Sequence, residues 1–310
     1  MITVVQDLSE LSQLTKPLHL AMGVFDGVHI GHQEVIAQVV TEAQAKGGIP
    51  AVLTFDPFPL QVLAPDRAPQ KILANIAHKK SLLAAIGVEY LIVIPFDQKF
   101  ANLRAGEFLD LIHQGGVLTQ ISIGEDWKFG KGREGSLLYV QNYCDQNDIL
   151  LTAVPPVIRD GERISSTRIR QAIRDGNLTT AKQMLGRDYS LFGDIERGDQ
   201  IGRTIGFPTA NVDTKNELLP PNGVYAALSI VGSRKITGVA NLGVRPTVTG
   251  ENKRKFEVHL FDFDEDIYDE EIEVVLGEFI RGEQKFEGLE ELKQQITNDC
   301  TQARSVEWNL

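Results

Sequence analysis

The chain has 310 residues with a net charge of −11, and 42% of its residues are hydrophobic. This length and composition predict a globular protein of two domains. The negative charge argues against broad binding to a nucleic acid backbone. No run approaches the ~18 uncharged apolar residues of a membrane helix, and the N-terminus lacks the basic and apolar segments of a signal peptide. We therefore expect a cytoplasmic protein without nucleic acid or membrane partners, in which Cys144 and Cys300 are reduced thiols.

Residues 1–186 alternate between short apolar runs and amphipathic segments. The apolar runs, which predict buried parallel strands, are LHLAMGVF, PAVLTF, EYLIVI, QISIG and ILLTAVP. The segments between them, which predict helices, are GHQEVIAQVVTEAQAKGG, AHKKSLLAAIG, AGEFLDLIHQGG and GSLLYVQNYCDQN. This alternation predicts a doubly wound α/β sheet, closed by two short helices in SSTRIRQAIRDG and LTTAKQMLG.

From Tyr189 the pattern changes to short alternating runs separated by Gly, Asn, Pro and acidic residues. The runs are YSLFGDIE, GVYAALSIV, KITGVANLGV, KFEVHLFDF and EIEVVLGEFI. They predict an antiparallel barrel or sandwich, and GLEELKQQITNDCTQARS predicts a terminal helix. We therefore expect one domain over residues 1–186 and a second over residues 187–310.

The turn GVFDGVHIGHQ, residues 23–33, lies between the first of these strands and the first helix. Ligands of doubly wound sheets bind at the carboxyl ends of strands, and helix N-termini attract anions. Glycines allow the backbone to approach a phosphate, and histidines are donors that can carry positive charge. The candidate phosphate-binding residues of the turn are Gly23, Phe25, Asp26, Gly27, His29, Gly31 and His32.

Three other interpretations of the two histidines compete with phosphate binding. A zinc site is disfavoured because six histidines and two cysteines offer no convincing set of four ligands. A dinucleotide fingerprint is disfavoured because G-x-G-x-x-G is absent. Ordinary surface histidines are the commoner explanation of an arbitrary H-x-x-H. The order strand, Gly, His, Gly, His, helix favours phosphate binding over all three.

Three motifs of the first 186 residues resemble those of a known enzyme family. GVFDGVHIGH resembles the H-x-G-H motif of nucleotidyltransferases, and RISSTRIR (163–170) resembles their second motif. IGEDWKFGKGREG (123–135) resembles the flavin-side loop of bacterial FAD synthetases. Together they resemble the adenylyltransferase half of the bifunctional riboflavin kinase/FAD synthetases, which has a Rossmann-like α/β nucleotidyltransferase fold with a parallel sheet.

This resemblance implies a role for each matching residue. His29 and His32 would contact the ATP phosphates, and Ser166 and Thr167 would hold the departing pyrophosphate. Arg163 and Arg170 would neutralise further phosphate charge. Asp126 would be the polar contact on the flavin side. Two positions depart from the family: Phe58 in TFDPFP replaces a usual histidine, and Trp127 replaces a usual phenylalanine.

The second half contains one dense motif, GDQIGRTIGFPTANV (198–212). Its glycines and proline allow a tight backbone, and its Thr and Asn are small oxygen donors suited to Mg²⁺ and phosphate. No part of the chain matches G-x-x-x-x-G-K-[ST] or the protein-kinase signatures. Taken alone, GFPTAN fits an ordinary loop between strands equally well.

Five stretches of the second half resemble the riboflavin kinase domain. They are GRTIGFPTANV, PPNGVYAA, GVANLGVRPTV, FEVHLFDFDEDIY and FIRGEQKFEGLEEL. The resemblance implies a small six-stranded antiparallel β-barrel with a C-terminal helix. It places Thr209 and Asn211 at the Mg²⁺–ATP complex and makes Glu257 the base for the ribityl 5′-hydroxyl. Further candidates are Gly202, Arg203, Gly206 and Pro208 for ATP, and Arg281 for the flavin.

Strand periodicity independently favours Glu257. In KFEVHLF, Phe256, Val258 and Leu260 share one face, and Glu257 lies on the other. A partly desolvated carboxylate there could accept a hydroxyl proton. Without the surrounding motifs, an exposed strand glutamate would be the commoner case.

The sequence therefore predicts a bifunctional enzyme that phosphorylates riboflavin to FMN and adenylylates FMN to FAD. ATP, riboflavin and FMN would be its substrates, Mg²⁺ its cofactor, and the chain a monomer or weak homo-oligomer. One alternative is a kinase whose N-terminal half is a regulatory flavin- or nucleotide-binding module. The other is a nucleotidyltransferase for a different phosphate ester, with an unrelated barrel attached.

Overall fold

The computed structural model describes residues 2–114, 117–198, 201–246 and 252–308. These residues form two compact units. The first unit comprises Met1–Gln70 and Lys79–Ser166, and the second comprises Lys71–His78 and Thr167–Leu310. The motifs at 198–212 and 238–248 each include residues outside the described ranges. The domain limits 1–186 and 187–310 stay a prediction.

The first unit contains a six-stranded parallel sheet. Its strands are β1 Thr3–Val5, β2 Leu18–Met22, β3 Ile49–Asp56, β4 Tyr90–Pro95, β5 Leu118–Gly124 and β6 Leu150–Val154. Five of them confirm the five predicted strands. The sequence analysis missed β1, because a run of three residues is too short to show a period.

The order of the strands, β1-β4-β3-β2-β5-β6, reverses at β2. β2 is fully buried and pairs with β3 on one side and β5 on the other. The chain leaves β2 toward β3 and returns later to β5, so a crevice is expected at the carboxyl ends of β2 and β5. The two-histidine turn follows β2 directly, and Asp126 lies two residues after β5.

Helices connect these strands as the alternation predicted. The helices before the barrel are α1 Ile30–Lys46, α2 Pro59–Leu63, α3 Ile76–Ala85, α4 Gln98–Ala101, α5 Ala105–His113, α6 Leu137–Asn147, α7 Ser166–Arg174 and α8 Leu178–Leu185. A short hairpin, β7 Ile158–Arg159 with β8 Glu162–Arg163, precedes α7. The sequence analysis missed this hairpin and the one-turn helices α2 and α4. Within the described ranges, no helix has the length and apolar content needed to span a membrane.

The second unit contains a closed antiparallel barrel of order β10-β13-β12-β11-β14-β9. Its elements are β9 Ser190–Glu196, α9 Ile201–Thr204, β10 Ala210–Asp213, β11 Gly223–Val231, β12 Arg234–Pro246, β13 Asn252–Leu260, β14 Glu271–Arg281 and the final helix α10 Leu289–Arg304. This confirms the barrel and C-terminal helix and decides against a sandwich.

Helix α10 covers part of the outer surface of the barrel. Ala303 of α10 packs with Val224 and Val239 in one apolar cluster. Their strand neighbours Tyr225 and Ala240, almost fully buried, point to the opposite side and fill the barrel. The outer face of β11 and β12 is therefore a second buried surface, which lies beneath the terminal helix.

Candidate active sites

The turn after β2 has an unusual backbone. Phe25 and Val28 have φ values of 49° and 43°, and Gly27 has a φ of 80°. A β-branched residue such as Val28 rarely adopts this region, and such strain is found mainly at functional sites. Gly23 leaves room for the Phe25 ring, because a Cβ at position 23 would lie 3.1 Å from it. The buried turn, which includes Asp26, is thus held in one specific conformation.

The two histidines lie at the N-terminus of α1 with their rings stacked. The centroids are 3.5 Å apart at an interplanar angle of 16°. His29 caps the helix, and its Nδ1 accepts the His32 backbone N–H at 3.3 Å, which leaves Nε2 for the ring proton. Phe25 meets His32 edge-on, at 5.3 Å. Gly31 allows this stacking because a Cβ would lie 3.3 Å from His29 Cε1.

His32 is neutral at physiological pH. Burial lowers its pKa well below the ordinary value, and the interactions with His29, Lys79 and Arg163 lower it further. Its Nδ1 is buried and has no hydrogen-bond partner among the described residues. The expectation that His32 can carry positive charge beside a bound phosphate stays a prediction.

The second predicted motif contacts the turn through Ser166. Ser166 is the first residue of α7, and its hydroxyl donates to the Asp26 carbonyl at 3.0 Å. Thr167 and Arg170 follow on the same helix, and Arg170 is buried. The first and second motifs, 137 positions apart at His29 and Ser166, are therefore neighbours within the first unit.

Asp126 and Arg163 form an ion pair, although their predicted roles concern different substrates. Arg163 Nη1 donates to Asp126 Oδ2 at 2.5 Å, and both side chains are about half exposed. This hydrogen bond lowers the pKa of Asp126. The neighbouring Trp127 stacks on Phe129 with centroids 4.6 Å apart, so the aromatic substitution is accommodated. Phe58 is partly buried at the start of α2, two residues after β3.

Sequence reasoning missed Lys79, a buried lysine of the first unit. Its Nζ donates to the Val24 carbonyl at 2.9 Å and to Thr54 Oγ1 at 3.1 Å. A signal was present, because Lys79 precedes the apolar residues Leu82 and Leu83 by three and four positions. That spacing places it on the buried face of α3.

The second site is a cavity of about 490 Å³ within the second unit, between the outer barrel face, the GFPTAN loop and α10. The predicted residues that line it are Gly202, Thr209, Asn211, Glu257 and Arg281. Arg203, Gly206 and Pro208 do not line the cavity, and all three are exposed. The structure therefore brings together most, but not all, of the residues predicted for this site.

Strand register explains why these residues converge. Glu257 of β13 lies opposite Asn211 of β10 and opposite Asn241 of β12. Asn241 in turn lies opposite Val224 of β11, and Val224 lies opposite Arg281 of β14. Sequence reasoning missed Asn241, because its position beside Glu257 depends on pairing between strands.

Glu257 is partly buried, as its periodicity predicted. Its side chain is 27% exposed, whereas Phe256 and Val258 beside it are buried. Lys255 Nζ lies 3.4 Å from Glu257 Oε1. On the same strand, His259 Nδ1 donates to the Pro208 carbonyl at 2.7 Å and thereby attaches the GFPTAN loop to β13.

The loop before β10 folds tightly around Gly202. The Phe207 N–H donates to the Gly202 carbonyl at 2.8 Å. A Cβ on Gly202 would lie 2.3 Å from the Phe207 carbonyl oxygen, and Thr209 Oγ1 is 3.5 Å from the same point. Gly206 has a φ of 92°, which favours glycine. These two glycines set the path of the chain that delivers Thr209 to the cavity.

Arg281 is anchored to the terminal helix. Its Nε and Nη2 donate to the carboxylate of Asp299, at 2.9 Å and 2.8 Å, and Phe286 lies 5.6 Å from the guanidinium. Asp299 is almost fully buried and also accepts from Gln295. Arg281 therefore attaches β14 to α10 at the wall of the cavity. Its predicted contact with a flavin stays a prediction.

Comparison with known proteins agrees with this two-site arrangement. Residues 11–168 match the family model described as FAD synthetase, and residues 185–307 match that of riboflavin kinase. The bifunctional riboflavin kinase/FMN adenylyltransferase of Escherichia coli K12 is 40% identical over 92% of this chain and 91% of its own length. The enzyme of that description from Bacillus subtilis is 36% identical over 92% of this chain and 90% of its own length.

A solved structure also matches the whole chain. A crystal structure described as a macrolide-efflux protein from Streptococcus pneumoniae has a TM-score of 0.82 and 32% identity, covering 99% of this chain and 100% of that one. Three findings indicate the same two-domain order. The family models match in this order, the parallel sheet precedes the closed barrel, and the bifunctional relatives match over nine-tenths of the chain. The chain belongs to the family of bifunctional riboflavin kinase/FMN adenylyltransferases.

Proposed function

We propose that the chain carries out both reactions named by its family, and that the two sites described above each serve one of them. The cavity of the second unit phosphorylates riboflavin to FMN with ATP. The two-histidine turn adenylylates FMN to FAD and releases pyrophosphate. The observation that supports this division most strongly is that each set of phosphate-type residues is assembled separately, one on the α/β sheet and one on the barrel.

In adenylyl transfer, an FMN phosphate oxygen attacks the α-phosphorus of ATP, and the bond from that phosphorus to the bridging oxygen breaks. Both substrates are anionic, so neutralising charge and fixing geometry are the main tasks of the site. His29 donates from Nε2 to the ATP phosphates and His32 lies stacked beside it, with Ser166, Thr167 and Arg170 acting on the pyrophosphate.

The ion pair of Asp126 with Arg163 supports a close approach of the two substrates. We assign Asp126 to the flavin side and Arg163 to the phosphates of ATP. Because the two side chains are hydrogen-bonded, their substrates would meet beside them. The attacking phosphate and the α-phosphorus are thereby brought together, as displacement requires.

In the kinase reaction, the ribityl 5′-hydroxyl attacks the γ-phosphorus of ATP, and the bond to the ADP oxygen breaks. Glu257 accepts the hydroxyl proton, as its partly buried position on the cavity wall permits. Gly202 shapes the loop that receives ATP, together with Arg203, Gly206 and Pro208. Arg281 borders the flavin from the wall that it shares with α10.

We propose Mg²⁺ as the cofactor of the kinase site. Thr209 and Asn211 supply neutral oxygen atoms on the face occupied by Glu257, and Mg²⁺ characteristically binds few protein oxygens plus substrate phosphates. Within the described ranges, no group of three His, Cys, Asp or Glu side chains forms a metal cluster, which fits a site completed by ATP. Bound there, Mg²⁺ would neutralise charge on the β- and γ-phosphates.

We further propose that the chain acts in the cytoplasm as a monomer or weak homo-oligomer, on small molecules and without nucleic acid or membrane partners. We keep the domain limits 1–186 and 187–310 as the proposed division between the two activities. The acidic net charge supports the absence of a nucleic acid partner.

Two parallel reactions test the proposed function. Purified protein is incubated with FMN, ATP and MgCl₂ in one tube and with riboflavin, ATP and MgCl₂ in the other, and flavins are separated by chromatography. We expect FAD in the first tube and FMN followed by FAD in the second, with both reactions abolished by EDTA. FMN without FAD would support a kinase with a regulatory N-terminal module. Inactivity on both flavins, with pyrophosphate release from another phosphate ester, would support a different nucleotidyltransferase.

A further inference from the structure

We propose that Lys79 is a positioning residue of the adenylyltransferase site, which holds the two-histidine turn through the Val24 carbonyl and supplies positive charge to the phosphates bound there. This inference rests on the proposed role of the turn in binding ATP. Lys79 lies outside the three motifs that carry the resemblance to FAD synthetases. Its assignment comes from the contacts it makes in the first unit.

The contacts of Lys79 are directed at the turn. Lys79 is buried, with 4% exposure. Its Nζ donates a hydrogen bond of 2.9 Å to the carbonyl of Val24, the residue before Phe25, whose φ is positive. Its second partner, Thr54 Oγ1, itself donates to the same carbonyl at 2.8 Å. Lysine, threonine and carbonyl therefore form a closed triangle that sets the direction in which the chain enters the turn.

The charge of Lys79 is uncompensated by a direct partner. Among the described residues, no carboxylate forms an ion pair with Lys79, and its two hydrogen-bond partners are neutral. Burying an ammonium in this way is unfavourable for the fold. Burial lowers the pKa of Lys79 to about 8, against the opposing effect of Asp26 and Asp56. A group held at such a cost next to an anion-binding turn is expected to act on the ligand.

Lys79 also interacts electrostatically with His32, one of the two stacked histidines. Lys79 is one of the groups that lower the pKa of His32. The field that disfavours a proton on His32 favours a phosphate beside it, because the two effects have the same electrostatic origin. With His32 neutral, the ATP phosphates receive positive charge from Lys79 and Arg163.

The neighbouring lysine provides a matched control. Lys80 lies on the same helix but is exposed. Lys79→Met removes the charge while keeping an unbranched side chain of similar length, and an apolar residue in place of a buried charge is often neutral for stability. Lys79→Arg keeps a charge that is retained far above pH 8. Thermal unfolding of each variant verifies that the fold is retained.

The first test uses the rate of FAD formation from FMN. We expect Lys79→Met to lower kcat/KM for ATP by at least about tenfold. Riboflavin phosphorylation should be unchanged, as should both reactions in Lys80→Met. In the wild type, kcat/KM for ATP should fall above about pH 8 as Lys79 loses its proton, whereas Lys79→Arg should show no such fall.

The second test measures the site without turnover. The ring signals of His32, assigned by their absence in His32→Gln, are followed by NMR. We expect the pKa of His32 to be higher in Lys79→Met than in the wild type. We also expect that about tenfold more ATP is needed in this variant to reach half of the ATP-induced shift of the His32 ring signals. An unchanged His32 pKa together with an unchanged ATP requirement would overturn the proposal, even if FAD is formed normally. If these shifts occur but the wild type makes no FAD, Lys79 keeps its role at an ATP site and the proposed reaction fails.

Discussion

At both sites, close packing against the neighbouring backbone fixes the positions of single side chains. In the first unit, the stacked rings of His29 and His32 pack closely over Gly31 and follow the left-handed Val28. In the second unit, Thr209 reaches the cavity only because the chain folds tightly against Gly202. At both sites, the local backbone conformation therefore determines where the proposed phosphate-binding groups lie.

Replacing Gly202 by alanine tests this at the kinase site. The added Cβ would lie 2.3 Å from the Phe207 carbonyl oxygen, so the loop must shift and move Thr209. We expect riboflavin phosphorylation to lose about 10²-fold in kcat/KM for ATP, since small displacements of positioning groups have effects of this size. Steady-state kinetics at varied ATP measures the loss.

The matched control is Gly288→Ala. Gly288 is the N-cap of α10, has an extended φ of −162°, and has open space where a Cβ would stand. This variant should keep wild-type kinetics. Equal activity of the Gly202→Ala variant would show that the loop geometry is irrelevant to ATP.

Some residues of the sites could be predicted from the sequence and others could not. His29, Ser166 and Glu257 were predicted because short motifs and the period of a strand carry local information. Asn241 and Lys79 were missed because their roles come from strand register and from burial on a helix face. Such relations involve residues far apart in the chain, which local patterns do not specify.

At the scale of elements, the register of the barrel assembles the kinase site and a buried polar network secures a distant segment to it. His78 and Glu217, both almost fully buried, are 2.9 Å apart, and Asn75 donates its backbone N–H to the same carboxylate. His78 also lies 3.1 Å from Ser190 and 3.5 Å from Glu273. Residues 71–78 are therefore part of the second unit, although they precede the barrel by more than 100 positions.

The proton on His78 stabilises this arrangement. Burial alone would lower the pKa of His78, but Glu217 and Glu273 raise it to about 9 from the ordinary 6.5. The folded state therefore holds the proton more tightly than the unfolded state does. The stabilisation is fully present below pH 6.5 and is lost as the pH rises through about 9.

Substitution of His78 by glutamine tests the network. We expect a loss of about 3 kcal/mol in the free energy of unfolding at pH 6.5, because Glu217 would stay buried without its charged partner. The difference between wild type and variant should shrink as the pH rises toward 9. Urea unfolding in a Trp127→Phe background, where Trp308 is the remaining tryptophan, monitors the second unit.

His113→Gln is the control, because His113 belongs to the first unit. This variant should leave the urea concentration of the Trp308 unfolding transition unchanged. A difference between wild type and His78→Gln that stays constant from pH 6.5 to pH 9 would contradict a protonated His78.

The sequence pattern predicts the strand–helix alternation and five of the six barrel strands because these runs are long and regular. It does not predict β1, the β7–β8 hairpin or β10, which are two to four residues long. The grouping of residues 71–78 with the barrel had no local signal either. That association depends on Glu217 and Ser190, which the chain reaches much later.

At the scale of the whole molecule, one chain contains two sites whose reactions follow each other, since the product of the barrel is the substrate of the α/β site. Family membership accounts for this order of regions. The resemblance of several motifs, rather than any one of them, predicted both activities from the sequence. We therefore expect each reaction to depend on its own residues.

Crossed variants test this claim most directly. Glu257→Gln removes the proposed base of the kinase, and His29→Ala removes the proposed ATP contact of the adenylyltransferase. Each variant is given riboflavin, ATP and MgCl₂ alone, then the two are mixed, and FMN and FAD are measured by chromatography. We expect Glu257→Gln alone to form neither product, His29→Ala alone to accumulate FMN, and the mixture to form FAD. A mixture of the two folded variants that forms no FAD would contradict two independent sites.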